Sequence, residues 1–314
     1  MHESLWHEPL YRETALLVIG VLFVVGIGFF FLRNRNTHTQ ASWASIKSWL
    51  FAAPVMFIAC GLPGSWPLVA LTIASMLGVK IFYQMLGIYH RSLFVWSTYV
   101  ALIGLAVAIH HDARDLYNLA PMIFLAAISL IPILTNSADQ MIQFVCLTLL
   151  GFSFLGWALM HLGWIWQLRG GPYLVLYLVI LTEVCDNLHL SLSRHVGSIK
   201  LFARISPKRN LEAGLITLVL TITLAWALRH LLPENMRGFE YWLTAGMVSA
   251  WGGSLGDLIL SAIRRDLGIK DVGPFIIGRG DLLMIMDRMI FVAPIFYYAL
   301  RILEALFQTG AVTK

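Results

Sequence analysis

Ten apolar segments, most of them long enough to cross a lipid bilayer, are the feature of this sequence that most constrains its fold. They lie at about 15–32, 49–62, 66–86, 93–109, 119–134, 141–166, 172–185, 211–232, 241–262 and 289–307. A membrane-spanning helix needs about 20 mostly apolar residues. Because backbone groups in lipid must pair internally, the pattern predicts an all-α, polytopic integral membrane helix bundle with roughly ten transmembrane helices.

The low share of charged residues supports lipid as the main solvent of this chain. Only 12% of the 314 residues are charged, and the mean hydropathy is +0.76. Soluble domains usually carry about 25% charged residues. The formal net charge of +5 is therefore interpreted through membrane topology. We expect no nucleic-acid partner, because the sequence has no zinc-finger spacing, RNP-like string or basic helix outside the loops.

The distribution of basic residues predicts the topology. Of the 22 Lys and Arg residues, about 15 fall in loops on one side of the predicted membrane. This bias predicts an outside N-terminus and cytoplasmic late loops, although the loop 136–140 has no positive charge to support its placement. We expect the bacterial inner (cytoplasmic) membrane. The chain divides into N-terminal spans, 1–170, and a C-terminal catalytic region with cytoplasmic loops, 171–314.

The first polar string, residues 182–214, begins at the end of an apolar segment. Glu183 and Asp186 are three residues apart and share one face of a helix. Carboxylates at membrane depth are expensive and usually face a cavity, a cation or a partner. The preceding segment, 172–185, is short, and we expect a helix broken at membrane depth. The string also holds candidate phosphate-binding groups, namely Arg194, Lys200, Ser206, Lys208, Arg209 and Asn210.

The second polar string, residues 252–288, places carboxylates beside guanidinium groups. Asp257 interrupts an apolar segment, and the small residues Gly252, Gly253 and Gly256 allow close approach of a backbone or a ligand. Further charges follow, namely Arg264, Arg265, Lys270, Asp271, Asp281, Asp287 and Arg288. Carboxylates that hold a hard cation beside basic groups that hold phosphates are typical of a magnesium–triphosphate site. A basic inside loop and a salt-bridged juxtamembrane loop are the structural alternatives for the two strings.

Both strings resemble the phosphatidate cytidylyltransferase family, also called CDP-diacylglycerol synthases, over roughly the last 130 residues. The first family string is matched by Asp186, Arg194, Gly197, Lys200, Leu201, Ser206, Pro207, Arg209 and Glu212. The family signature is matched in order and spacing by Gly256, Asp257, Ser261, Arg264, Arg265, Gly268, Lys270 and Asp271, and then by Asp287 and Arg288.

Several departures make the chain a divergent member by this resemblance. The family's G-H-G-G appears as residues 278–281, and Ile290 stands where the family has a second Asp after the Asp-Arg pair. His189 and Leu190 replace a small-aromatic pair. Asp281 is a candidate for the missing carboxylate.

The resemblance implies a nucleotidyltransferase that converts CTP and phosphatidic acid into CDP-diacylglycerol and pyrophosphate in phospholipid biosynthesis. It implies Mg²⁺, as one or two ions, held by Asp257, Asp271 and Asp287. The remaining catalytic residues would be Arg264, Arg265 and Lys270. The substrate-binding residues would be Asp186, Arg194, Lys200, Ser206, Lys208, Arg209, Ser261 and Arg288.

Three other functions remain open at this point. The chain could transfer the nucleotide to a different lipid phosphate, such as an isoprenoid or glycolipid phosphate. It could be a non-catalytic descendant that binds CDP-lipid, or a transporter with a cation path through Glu183, Asp186 and Asp257. The expected partners are CTP, a lipid phosphate and membrane lipids. Gly252 and Gly256 could pack helices within one chain or in a homodimer.

Overall fold

A computed structural model describes residues 4–32, 37–206, 209–268 and 286–312, and these residues form helices and connecting turns without a β-strand. The helices are α1 Pro9–Leu32, α2 Thr37–Gly61, α3 Trp66–Met85, α4 Ser92–His110, α5 Arg114–Leu134, α6 Met141–Gly151, α7 Leu159–Gln167, α8 Gly171–Leu192, α9 Leu211–Ala227, α10 Phe239–Asp266 and α11 Met289–Val312. A π-helical segment, Phe152–Ala158, joins α6 to α7.

These helices confirm the predicted membrane bundle. Eight stretches are long and apolar enough to cross a bilayer, with α6, the π-helical segment and α7 counted as one stretch, Met141–Gln167. Two shorter apolar helices, Ile46–Gly61 and Leu211–Ala227, coincide with the remaining predicted segments. Large apolar side chains such as Leu16, Phe31 and Leu134 are exposed, at 67%, 77% and 81%. Apolar surface on this scale is expected where lipid is the solvent.

The prediction of a broken helix near residue 185 was wrong, because α8 continues without a break to Leu192. Glu183, Asp186 and His189 follow one another at a three-residue spacing and are all buried. They therefore share the inward face of α8, where neighbouring helices provide partners for the two carboxylates. The polar string can thus remain helical at membrane depth.

Side-chain contacts group several of the described connections at the two ends of the bundle. At one end, the Tyr173 hydroxyl donates to Glu8 over 2.6 Å, and Gln167 donates to the carbonyl of Ile109. At the other end, the Arg91 guanidinium lies 4.5 Å from the centre of the Phe144 ring. This contact places the uncharged loop 136–140 beside the α3–α4 turn. These contacts agree with the predicted sides of the connections that they join, and the end that faces the cytoplasm stays a prediction.

The π-helical segment is tied to its neighbours by side-chain hydrogen bonds to its carbonyl oxygens. Ser75 of α3 donates to the Leu155 carbonyl over 2.6 Å, and Tyr117 of α5 donates to the Trp157 carbonyl over 2.5 Å. A π-helical turn widens the backbone and is often found near functional positions. Here its hydrogen bonds fix the π-helical segment against α3 and α5, and the same segment and α7 contact α11.

Ring contacts join the two predicted regions of the chain. Tyr297 of α11 lies 5.6 Å from His161 and 6.3 Å from Trp164 of α7, measured between ring centroids. On the other side, α11 packs along α10. The division into 1–170 and 171–314 stays a prediction, and both α8 and α11 of the second region contact α7 of the first.

Candidate active site

A buried group of charged side chains lies where the polar halves of α8 and α10 meet the residues that precede α9 and α11. We call it the acid–arginine cluster. It comprises four carboxylates and three guanidinium groups, namely Glu183, Asp186, Arg209, Asp257, Arg264, Asp287 and Arg288. Charged groups at this depth need partners, because an uncompensated charge in an apolar interior is very expensive.

Arg209, which precedes α9, bridges α8 and α10. Its side chain is 7% exposed, and Nη2 lies 2.7 Å from Asp186 Oδ1 and 2.8 Å from Asp257 Oδ2. Its Nε also donates to Asp257, and Nη1 donates to the Ser254 hydroxyl over 3.2 Å. The planar fork of a guanidinium group suits such a double contact. Arg209 therefore fixes the spacing between the carboxylates of α8 and α10.

Arg288 forms the second bridge, from the start of α11 to α8. Its Nη1 pairs with Glu183, and its Nη2 lies 3.2 Å from Asp186 Oδ2. Its Nε lies 3.9 Å from Oδ1 of the neighbouring Asp287. Asp186 thus receives one guanidinium group on each of its two oxygens.

Asp287 is the most deeply buried carboxylate of the cluster, with 1% of its side chain exposed. Its nearest cations are Arg264, at 3.8 Å, and Arg288, and neither of its oxygens accepts a hydrogen bond from a described residue. Burial raises the pKa of the Asp287 carboxyl well above its ordinary value, and the charge of Arg288 opposes that shift. A cation bound there would favour the ionised form of this carboxyl, so Asp287 is a candidate cation ligand.

With every group ionised, the acid–arginine cluster carries one net negative charge, because four carboxylates face three guanidinium groups. The residual charge fits a divalent cation, as do the Asp287 oxygens, which accept no hydrogen bond within the described part of the chain. Within the described part of the chain, no three Asp, Glu, His or Cys side chains are grouped as a complete metal site. The third predicted ligand, Asp271, lies outside the described residues.

Close contact between α10 and the start of α11 depends on glycine. A Cβ atom at Gly256 would overlap the carbonyl oxygen of Asp287, and one at Gly252 would lie 3.2 Å from the backbone nitrogen of Val292. The close approach that the sequence predicted at Gly252 and Gly256 therefore brings the backbone of α10 against the backbone at the start of α11 within one chain. Gly256 sets the position of Asp287 relative to Asp257.

We expect Gly256→Ala to destabilise the protein by about 1–3 kcal/mol, the usual cost of overpacking a tight interior site. The added methyl group must displace the backbone at Asp287. The measurement is the midpoint of SDS-induced unfolding in mixed micelles. Gly104→Ala is the matched control, because a Cβ at Gly104 meets no atom within 4 Å. Equal stability of the two variants would contradict the close packing.

The structure brings some of the predicted site residues together and leaves others apart. Asp186, Arg209, Asp257, Arg264, Asp287 and Arg288 belong to the cluster, and Ser261 lies one helical turn after Asp257 on α10. Lys200 is exposed, and Arg265 donates to the carbonyl of Arg204. Ser206 accepts a backbone hydrogen bond from Arg209, and Arg194 lines a large cavity beside α8. Lys208, Lys270 and Asp271 lie outside the described residues, as does Asp281.

Sequence reasoning left Glu183 and Ser254 out of the predicted site. Glu183 pairs with Arg288, and Ser254 binds Arg209. Each lies three residues before a predicted carboxylate, Asp186 or Asp257, and so shares its helical face. The three-residue spacing on one helical face could therefore have indicated that both residues belong to the site.

This fold and cluster define a polytopic membrane protein with a buried site of paired acids and guanidinium groups at one end of its bundle. Residues 43–303 match the cytidylyltransferase family, and the chain belongs to this family.

Individual relatives cover only part of the chain. It is 37% identical over 158 residues to the uncharacterized protein YnbB of Escherichia coli, covering 47% of this chain and 52% of that protein. It is 31% identical over 133 residues to the phosphatidate cytidylyltransferase of Thermotoga maritima, covering 40% and 49%. The phosphatidate cytidylyltransferase of Bacillus subtilis is 30% identical over 128 residues, covering 40% and 46%. The chain thus spans about half the length of the curated relatives it matches.

Proposed function

We propose that this protein transfers the cytidylyl group of CTP to a lipid phosphate, with phosphatidic acid as the acceptor and CDP-diacylglycerol and pyrophosphate as products. The observation that carries the proposal is the acid–arginine cluster, in which the oxygens of Asp287 accept no hydrogen bond from a described residue and lie beside the guanidinium groups of Arg264 and Arg288. Family membership and the similarity to two phosphatidate cytidylyltransferases support the same chemistry.

In the proposed reaction, an oxygen of the lipid phosphate attacks the α-phosphorus of CTP. A new P–O bond forms, the bond between the α-phosphorus and the bridging oxygen breaks, and pyrophosphate leaves with that electron pair. The lipid phosphate is already anionic near neutral pH, so the attacking group needs little general-base assistance. Positioning and electrostatic stabilisation therefore dominate the catalysis.

Mg²⁺ belongs to this proposal, held by Asp257, Asp271 and Asp287 with Asp186 nearby. The bound ion would neutralise charge on the phosphate oxygens. Arg209 and Arg288 would hold the carboxylates in place, since both already bridge them. The remaining proposed anion-binding groups are Arg194, Lys200, Ser206, Lys208, Ser261, Arg264, Arg265 and Lys270.

We further place the cluster end of the bundle at the cytoplasmic face of a bacterial inner membrane, where CTP is available. The excess of Lys and Arg in the loops on this side supports the orientation. Close packing at Gly252 and Gly256 is used within the chain, and a homodimer would need another interface.

The proposal is tested with purified protein, CTP labelled at the α-phosphorus, Mg²⁺ and a panel of lipid phosphates. We expect label to enter the lipid fraction with phosphatidic acid, one pyrophosphate released for each labelled lipid, and loss of both on chelation. If label were transferred only to an isoprenoid or glycolipid phosphate, that lipid would replace phosphatidic acid as the proposed acceptor. Binding of CDP-lipid without pyrophosphate release, or ion-driven uptake into liposomes without a response to CTP, would overturn the enzymatic function.

A further inference from the structure

His189 lies on the inward face of α8, three residues after Asp186 and beside the acid–arginine cluster. The residue is 7% exposed. Its imidazole is within electrostatic range of Arg209, Asp186 and Asp257. The proposed reaction assigns no role to this side chain. His189 therefore adds an imidazole to the edge of the proposed active site.

One edge of this imidazole packs against α9. A Cβ atom at Gly214 would lie 3.4 Å from Cε1 and 4.0 Å from Nδ1 of His189, and Nε2 is farther away. The Nε2 atom is buried and has no hydrogen-bond partner among the described residues. The ring thus contacts α9 through its Cε1–Nδ1 edge, and its Nε2 atom can bond to another partner.

Three residues of the cluster share this property with His189. Within the described ranges, Arg264, Asp287 and Arg288 also have a buried polar side-chain atom without a hydrogen-bond partner. Such atoms are uncommon in folded proteins, because burying a polar group without a hydrogen bond is costly. Their grouping around one site indicates that a bound ligand completes the hydrogen bonding of the cluster and of His189.

We propose that His189 is a substrate-contacting residue that donates its Nε2–H to a phosphate oxygen of the bound nucleotide or lipid phosphate. This inference rests on the proposed function. An imidazole can present an N–H group at either ring nitrogen, and a phosphate oxygen accepts from such a donor. Mg²⁺ prefers oxygen ligands, so a phosphate oxygen suits this nitrogen better than the cation does.

Three substitutions at position 189 test the contact, with binding measured apart from turnover. His189→Leu removes both ring nitrogens, His189→Gln places an amide N–H group near the position of Nε2, and His189→Asn reaches only the position of Nδ1. Calorimetric titrations use CTP with Mg²⁺ in one arm and phosphatidic acid in detergent micelles in the other. The arm that responds identifies which phosphate His189 contacts.

We expect His189→Leu and His189→Asn to weaken binding in one arm about 10–100-fold, the usual effect of losing a hydrogen bond to a charged group. His189→Gln should stay within about threefold of the wild type, because it keeps the donor. The midpoint of SDS-induced unfolding of His189→Leu should not fall, since an unpartnered buried nitrogen is removed. His195→Leu is the matched control, because His195 is exposed in the turn that follows α8.

Unchanged binding of both ligands by His189→Leu would overturn the inference. Recovery by His189→Asn instead of His189→Gln would also overturn it, because the contact would then belong to Nδ1. A fall in binding together with the unfolding midpoint in all three variants would assign His189 a packing role and reject the contact.

The binding measurement separates this inference from the proposed function. If the wild type binds CTP or phosphatidic acid with the expected dependence on residue 189 but transfers no cytidylyl group to any acceptor, the function is rejected and the contact is retained. If the wild type transfers the group and His189→Leu has unchanged KM for both substrates and unchanged kcat, the function is retained and the contact is rejected.

Discussion

Asp287→Asn is expected to lower cytidylyl transfer about 10²–10³-fold, the usual effect of removing one electrostatic group from a preorganised site. The substitution keeps the shape of the side chain and removes its negative charge. Because neither oxygen of Asp287 accepts a hydrogen bond from a described residue, and its ion pairs are long, stability should change by less than about 1 kcal/mol. Activity and stability are therefore expected to respond very differently.

The comparison needs both a turnover assay and an unfolding measurement on the same preparation. Asp139→Asn is the matched control, because Asp139 is an exposed acid in the turn between α5 and α6 at the same end of the bundle. Turnover of Asp287→Asn within about twofold of the wild type would remove this carboxylate from the site. A loss of both activity and fold would instead assign it a structural role.

Arg209→Gln is expected to destabilise the protein by about 3–5 kcal/mol, because it leaves Asp186 and Asp257 without their shared cation. Activity should fall as well, since the two carboxylates lose the bridge that sets their spacing. Arg209→Lys should recover only part of the stability, because an ammonium group cannot reproduce the planar double contact. SDS-induced unfolding and the transfer assay measure the two effects.

A double variant identifies the source of the stability that Arg209→Gln loses. Adding Asp186→Asn to Arg209→Gln removes a buried charge that has lost one of its two guanidinium partners, and we expect part of the lost stability to return. Arg204→Gln serves as the control, because Arg204 is exposed in the same connection. If the second substitution adds its own destabilisation in full, the pairing of Arg209 with Asp186 is not what stabilises the cluster.

The helices were predictable from the sequence because apolar length alone determines whether a segment can span lipid. All ten predicted segments correspond to helices or to one continuous helical stretch. The π-helical turn at Phe152–Ala158 was not predicted, since its carbonyl oxygens are bound by side chains from α3 and α5 that are distant in sequence. The unbroken course of α8 likewise depends on partners that come from other helices.

The residue types in the site were predictable from the sequence, whereas the pairing of each acid with a particular guanidinium group was less predictable. The two polar strings do meet, and acids lie beside guanidinium groups as expected. Arg209, which was predicted to bind phosphate, instead contacts two carboxylates, and Glu183 joins the cluster through Arg288. Which acid meets which base depends on the relative rotation and depth of three helices, and spacing within one string does not contain that information.

The ion pair between Glu183 and Arg288 also has a consequence for biogenesis. The two residues are 105 positions apart, so α8 leaves the ribosome long before its cationic partner has been synthesised. During that interval an acid at bilayer depth has no guanidinium group from the start of α11 to neutralise it. Glu183 therefore lacks this partner until α11 has been synthesised, so the insertion of α11 is the step that completes the ion pair between α8 and α11.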